Sequence, residues 1–407
     1  MSPLALTTEF FCRTERHREL LQRAAALADR FAQSAAEYDR SGQFPFAHFE
    51  ALRASGYFGL TVPEALGGEG GGVFEMVLSQ ERLARGDGST ALSVGWHLYV
   101  IGKQAASRTW PAPVRERVFR EAVTDGALIN AAASEPETGS PSRGGLPTTR
   151  ARRLPDGGWV VTGHKNFTTL SPILRYFLVS ATIEGTEEAA WFLIPRDTPG
   201  LSIEETWDTL GMRATGSHDL WLQEVELGPE ALVESAARRS GARTDGWNLH
   251  IPAVYLGIAQ AARDYALRYA LERRTRGSAG PIAEMPHIQR LIGEMETALL
   301  PARTLLMTLA ERWDSEPDRR AELAGPCAAC KLFVVEAALS VVDKAMRIGG
   351  GASLSRRLPL ERYYRDVRAG LHNPPMEDVA LVNLAKAALA ALQPGGAGPA
   401  AEPPAAP

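Results

Sequence analysis

A chain of 407 residues is longer than a single ordinary hydrophobic core organises, so two or three domains are expected. With 44 Lys and Arg against 48 Asp and Glu, the net charge of −4 and pI near 6.1 leave no basic surplus for nucleic acid or an anionic membrane, and point to a small-molecule ligand. Glu9, Arg13 and Glu15 come before any apolar run long enough for a signal peptide, and no later run reads as about twenty apolar residues, so a cytoplasmic protein without membrane association is expected.

From about residue 8 to 120 the apolar residues recur at helical spacing, as in Leu20, Leu21, Ala24, Leu27, Ala28 and Phe31, which predicts an N-terminal helical domain over 1–124. Its Gly67-Gly68-Glu69-Gly70-Gly71-Gly72 cluster lacks the spacing of a phosphate-binding loop and reads as a turn between helices. Between 125 and 235 the pattern changes to short runs rich in β-branched and aromatic residues, such as Tyr176-Phe177-Leu178-Val179-Ser180. The Pro155-Asp156-Gly157-Gly158 turn predicts a hairpin into Trp159, and the whole reads as a compact antiparallel β-domain. Helical periodicity returns over 236–393, where long helices with short loops predict a bundle. Residues 394–407 are Pro, Gly and Ala with too little apolar bulk to fold, and predict a disordered tail.

Cys327 and Cys330 form a C-x-x-C inside a helical pattern with no second ligand pair, and read as ordinary thiols one turn apart. The eight histidines show no ligand-type pairing, so no metal site is expected.

Four motifs follow one another: Ser134-Glu135-Pro136-Glu137-Thr138-Gly139-Ser140, Gly163-His164-Lys165-Asn166-Phe167-Thr168-Thr169, Leu210-Gly211-Met212-Arg213-Ala214-Thr215-Gly216-Ser217, and Arg365-Asp366. As an ordered set they resemble the flavin-binding core of the acyl-CoA dehydrogenase family, over roughly residues 40 to 385. The resemblance implies that family's fold, mainly α with a central antiparallel β-domain between an N-terminal helical domain and a C-terminal four-helix bundle. It implies FAD in the cleft between the β-domain and the bundle. Ala131, Ala133 and Ser134 would contact the isoalloxazine, with the Ser134 hydroxyl near N5. Phe167 would stack beside the flavin, with Thr168 and Thr169 as polar contacts. Ser140 and Asp245 would face the substrate. In the family the phosphate and adenosine end is held partly by a neighbouring subunit. Arg273, Thr275, Gly350 and Gly351 match that pattern, while Arg276 stands for an aromatic residue and Arg347 for an amide, placing a guanidinium near the phosphates. Shared contacts imply a homo-oligomer, a tetramer by resemblance.

The substrate side departs from the family. Removing the α-proton of an acyl thioester requires a base, usually a glutamate nine residues after the arginine of the Arg-Asp pair. Here that position is Pro374, and the nearest carboxylates are Glu377 and then Asp378. Asn248 and Pro141 replace a family arginine and aspartate. One reading is α,β-dehydrogenation of an acyl-CoA with hydride passing to flavin N5 and electrons to an electron-transfer flavoprotein, its base shifted to Glu377. The alternative is a two-component flavin-dependent monooxygenase of the same fold, similar to dibenzothiophene monooxygenase and supplied by a flavin reductase, with His372 as the functional histidine. His97 is a weaker candidate for the same cavity. A non-catalytic flavin scaffold is the lesser alternative.

Overall fold

The computed structural model describes residues 7–138, 145–235, 245–276 and 279–392. Six helices open the chain: α1 (Glu15–Phe31), α2 (Ala35–Ser41), α3 (Phe46–Ala54), α4 (Val73–Ala84), α5 (Gly88–Ser107) and α6 (Ala112–Thr124). The Thr14 hydroxyl caps α1 by accepting from His17 N, and the six apolar residues whose spacing predicted the helix are its buried face. Asp87 caps α5 in the same way, accepting from Ser89 N and Thr90 N.

Among the described residues eight strands follow: β1 (Leu128–Ala132), β2 (Arg150–Arg153), β3 (Trp159–Thr168), β4 (Leu174–Ile183), β5 (Ala189–Pro195), β6 (Leu201–Glu204), β7 (His218–Leu227) and β8 (Leu232–Ser235). The predicted hairpin joins β2 to β3 with Arg153 opposite Trp159. The sheet runs β6-β7-β3-β2-β4-β5-β8, with β1 also on β4. It is not wholly antiparallel, because β1 and β2 both pair with β4 in parallel. β1 arrives from α6 and runs alongside β4, an arrangement no local turn signal announces.

The C-terminal helices are α7 (His250–Glu272), α8 (Pro286–Ser315), α9 (Arg320–Gly349), α10 (Leu360–Asp366) and α11 (Glu377–Ala390). One apolar core runs from α4 and α5 through the sheet into α7, α8 and α9, and a second lies between α5, α6 and strands β1, β4 and β5. Helices α4 and α7 approach closely: a Cβ on Gly257 would collide with the Glu81 carbonyl. At that crossing the buried Glu81 accepts from Arg303 of α8 at 3.0 and 3.1 Å, and Arg303 also reaches Gln260 of α7 at 2.7 Å. Contrary to the sequence expectation, the stretch Pro317–Leu354 is long and apolar enough to cross a bilayer. More than half of its apolar window is buried in the bundle, as in a core helix of a globular protein. Cys327 and Cys330 are buried there, and burial pushes the Cys327 thiol up to about 12, which leaves it unreactive. The tail over 394–407 lies outside the described residues.

Candidate functional site

Two motifs thirty residues apart are joined by one buried ion pair. Lys165 and Glu135 have fully buried side chains, with Nζ 2.6 Å from Oε1. Glu135 also accepts from Thr148 N (2.6 Å), Thr148 Oγ1 (2.8 Å), Thr149 N (2.9 Å) and Thr149 Oγ1 (2.7 Å). Burial raises the carboxyl pKa, but Lys165 and these donors outweigh it and hold the group below the usual carboxylate range. The neighbouring backbone is locked too, since Asn166 N donates to Ser134 O at 3.0 Å. The end of β1 and the end of β3 are thus fixed side by side, bringing Ala131, Ala133 and Ser134 to the same edge as Phe167, Thr168 and Thr169.

That edge has the properties a flavin requires. Phe167 stands at φ +53° and is 59% exposed, at the end of a strand whose other aromatic residue is buried. A bulky side chain in the left-handed region costs on the order of 1–3 kcal/mol and persists only when its surroundings impose it. Trp207 meets the Phe167 ring edge-on at 5.7 Å. Beside it, the Thr168 hydroxyl is completely buried without a hydrogen-bond partner among the described residues, whereas Thr169 Oγ1 is already engaged with Ser217 Oγ at 2.8 Å. An exposed ring next to an unmet hydroxyl fits the face and polar rim of an isoalloxazine.

The other two motifs dock the bundle onto this edge. Arg365 binds both Asp39 oxygens at 2.9 and 2.6 Å, Glu361, and Leu210 O. Asp366 accepts from Met212 N at 2.7 Å. Gly211 has no room for a side chain, because a Cβ there would strike the Arg365 carbonyl. Met212 O in turn accepts from Trp207 Nε1 at 3.0 Å, so the Arg-Asp pair acts on the flavin edge through Trp207. Asp366 is fully buried. Burial raises its pKa to about 7 against the opposing Arg362 charge and the Met212 N–H.

The segment expected to carry the base turns different groups inward. Asn373 Oδ1 accepts from the hydroxyl of Tyr255, itself completely buried in α7. Lys331 of α9, 2% exposed, donates to Pro375 O at 3.2 Å, and burial pulls its ammonium down to about 8. His372 is exposed, and Glu377 and Asp378 are exposed in the first turn of α11, where negative charge favours the helix N-terminus.

On the other side, Asp245 pairs with Lys103 of α5 at 3.2 Å, and Lys103 also donates to Tyr99 OH at 3.2 Å. Asn248 Nδ2 leans on Asp245 at 3.4 Å. His97 is not available to a cavity. It is completely buried, Nε2 lies 3.0 Å from Phe58 O, and Nδ1 accepts from Ile129 N at 3.3 Å, so it joins α5 to β1.

Arg273, Thr275 and Arg276 are exposed beyond the end of α7. Arg347, Gly350 and Gly351 are exposed at the end of α9, where Arg347 Nε donates to Asp343 at 2.8 Å and no described atom within 4 Å would touch a Cβ on either glycine. Both clusters lie open to solvent in the single chain. Ser140 lies outside the described residues. The sequence reading missed Glu135 and Lys165 as a pair, Trp207, Tyr255, Lys331 and His250. Both residues fall within the recognised motifs, but nothing local announces that they pair across thirty residues.

Comparison with known proteins agrees with this geometry. Three family models match: the N-terminal domain of acyl-CoA dehydrogenase over residues 14–109, the middle domain over 130–225 and the C-terminal domain over 248–371. Among curated proteins, "Putative acyl-CoA dehydrogenase YdbM" of Bacillus subtilis is 52% identical, covering 92% of this chain and 98% of its own length. L-evernosamine nitrososynthase of a Micromonospora species is 31% identical over 87% of this chain and 85% of its own. Among solved structures, KijD3 in complex with FMN and a dTDP-linked amino keto sugar superposes with a TM-score of 0.83 at 29% identity, covering 95% of this chain and 96% of that one.

Proposed function

Because the chain belongs to the acyl-CoA dehydrogenase family, a flavoprotein oxidoreductase fold, we propose that it is a flavin-dependent enzyme of the oxygen-using, two-component type, acting on a small molecule. The cofactor is FAD, which supplies two-electron redox chemistry when bound along the edge formed by Ala131, Ala133, Ser134, Phe167, Thr168 and Thr169. Phe167 packs beside its ring, Thr168 offers its unmet hydroxyl, and the Glu135–Lys165 pair keeps both strand ends in register.

One observation carries the oxygen-dependent reading. Across 370–378 the inward polar group is Asn373 on Tyr255, and both carboxylates of that segment are exposed on α11. With both carboxylates exposed in the first turn of α11, the segment presents no buried carboxylate to take an α-proton from an acyl thioester. The likenesses to L-evernosamine nitrososynthase and to KijD3, whose complex holds FMN and a dTDP-linked amino keto sugar, support a substrate other than an acyl thioester. The dehydrogenase reading keeps two observations in its favour, the 52% identity to "Putative acyl-CoA dehydrogenase YdbM" and Glu377 lying close enough to Lys331 to stabilise its ammonium. On the oxygen-dependent reading Glu377→Gln leaves product formation from supplied reduced flavin and oxygen unchanged, and destabilises the fold by at most about 1 kcal/mol. A rate loss of about a hundredfold or more, at intact flavin content, marks Glu377 as a base and sinks that reading.

The reductant partner is then a flavin reductase, whereas an electron-transfer flavoprotein belongs to the dehydrogenase reading. Exposed Arg273, Thr275, Arg347, Gly350 and Gly351 form the phosphate end of a neighbouring subunit's cofactor site, in a cytoplasmic homotetramer. Arg347→Glu is expected to weaken flavin retention on dialysis, since it inverts a charge beside the phosphates. A flavin-loaded monomer of 44.0 kDa in light scattering would contradict the sharing of sites.

A further inference from the structure

Away from the flavin edge, in the N-terminal helical domain, a chain of polar groups runs from a buried carboxylate to the surface. Ser34, half-buried in the turn between α1 and α2, places Oγ 2.7 Å from Nε2 of His48 in α3. His48 is 3% exposed, and its Nδ1 lies 2.8 Å from Thr90 Oγ1 and 3.4 Å from Asp87 Oδ2. Thr90 Oγ1 and Asp87 Oδ2 are 2.6 Å apart. Asp87 is buried and held by the backbone N–H groups of Ser89 and Thr90, both at 3.3 Å.

The direction of each bond follows from the buried end. An ionised carboxylate only accepts, so the Thr90 hydroxyl donates to Asp87, and Thr90 Oγ1 accepts from His48 Nδ1–H. In the neutral imidazole Nε2 is then an acceptor, and the Ser34 hydroxyl donates to it. Burial raises the Asp87 carboxyl, but His48, Arg362 and Thr90 outweigh it and hold the group below the usual carboxylate range, so the end of the chain stays charged. Phe31 stacks on the imidazole at 4.2 Å and Tyr38 meets it edge-on at 5.1 Å, which shields the ring and leaves Ser34 as the open end.

Ser34 is the N-cap residue of α2, where a serine ordinarily accepts from a backbone N–H of its own helix, yet its side chain makes no such bond. The hydroxyl is turned to His48 instead. A serine hydroxyl on the bare nitrogen of an imidazole that a buried carboxylate orients is the arrangement of an activated nucleophile, recognised by geometry and not by chain order.

We propose that Ser34 is the nucleophile of a second site, which takes a small, uncharged acyl group from an activated carboxylic ester, with His48 as its general base and Thr90 and Asp87 as positioning residues. Ser34 Oγ bonds to the acyl carbon as its proton passes to His48 Nε2. The acyl–oxygen bond of the ester breaks, and the alkoxide leaves with that proton. Water, activated by the same imidazole, then releases the acid and restores the hydroxyl. The site depends on none of the flavin chemistry.

The test is incubation of the flavin-loaded protein with p-nitrophenyl acetate, with acetyl groups located by peptide mass spectrometry. Ser34 is expected to be acetylated about a hundredfold faster than Ser41, exposed at the other end of the same helix, as a positioned base confers. Ser34→Ala removes that label and leaves flavin content unchanged. His48→Phe keeps a ring against Phe31 and lowers labelling of Ser34 to the Ser41 rate. Should His48→Phe fail to fold, Thr90→Val, which nearly keeps the volume and removes the hydroxyl between His48 and Asp87, must slow Ser34 labelling by about tenfold without changing Ser41. Labelling of Ser34 no faster than Ser41 overturns the proposal, as does a rate that survives His48→Phe or Thr90→Val in a folded protein. A lowered Tm in those variants with parental labelling means the chain only ties α2 and α3 to α5, and also overturns it.

Discussion

Lys165→Met is expected to cost about 3–5 kcal/mol of stability and to leave the purified protein without flavin. The substitution removes the cation facing a carboxylate that has no exposed surface, while the volume of the side chain is nearly kept. Glu135 retains its four contacts from Thr148 and Thr149, so the loop at 148–149 stays attached and the damage concentrates on β3. The end of β3 is the segment that holds Phe167 in the left-handed region and Thr168 buried, and a loosened strand end relaxes both. Glu135→Gln in the same background should recover part of the stability, because it removes the buried unpaired charge. Chemical denaturation and flavin absorbance of the four proteins in this cycle check it. Single variants with parental stability and full flavin would show that the pair does not build the site.

The second large effect is loss of stability in mild acid. His97 and His250 are buried and neutral, held by burial at about 4 and about 3, against 6.5 for a free imidazole. Both folded-state values are depressed, so the unfolded chain binds the extra protons. The stability these histidines contribute is complete above pH 6.5 and is lost as pH falls through 6.5 toward 4 and then 3, at up to about 1.4 kcal/mol per pH unit for each ring. Asp366 acts in the opposite sense. Its folded value near 7 lies above the ordinary 3.8, so it favours the folded state below 3.8 and loses that contribution as pH rises through 7. Between pH 6.5 and 4.5 two protons taken up on unfolding are opposed by about one released, leaving a net slope near one proton. Below 4.5 the slope steepens, because Glu81 and Glu135, whose folded-state values are depressed, stay ionised in the folded protein and take up protons when it unfolds. Denaturation free energies across this range should show that break, and His97→Gln should remove about one proton from the upper window. A flat profile from pH 7 to 4.5 contradicts the assignment of two neutral buried imidazoles.

How much of this was legible in the sequence depended on the range of the interaction. Helix α1 was readable because its six apolar residues repeat on one face. The β2–β3 hairpin was readable because its turn carries its own residues. The parallel pairing of β1 and β2 with β4 was not, since it joins strands with no shared turn. The four motifs could be recognised as a set, but their physical roles lie in long-range contacts: Lys165 with Glu135, Met212 N with Asp366, and Arg365 with Asp39. The left-handed φ of Phe167 opposes local preference for a bulky residue, so no local rule announces it. His97 looked like a candidate because a histidine between apolar residues is ambiguous until its partners are known. The two backbone groups that satisfy it come from 39 and 32 residues away. His250 is the converse case, unremarkable as the first residue of an apolar helix and notable only once both nitrogens prove unmet.

The most direct measurement of the central claim is anaerobic titration of the oxidised, flavin-loaded protein with a series of acyl-CoAs of increasing chain length, following flavin absorbance. An enzyme without an inward carboxylate on 370–378 leaves the flavin oxidised with every thioester, and forms product only when reduced flavin and oxygen are both supplied. Stoichiometric bleaching by any acyl-CoA would contradict the account and restore α,β-dehydrogenation.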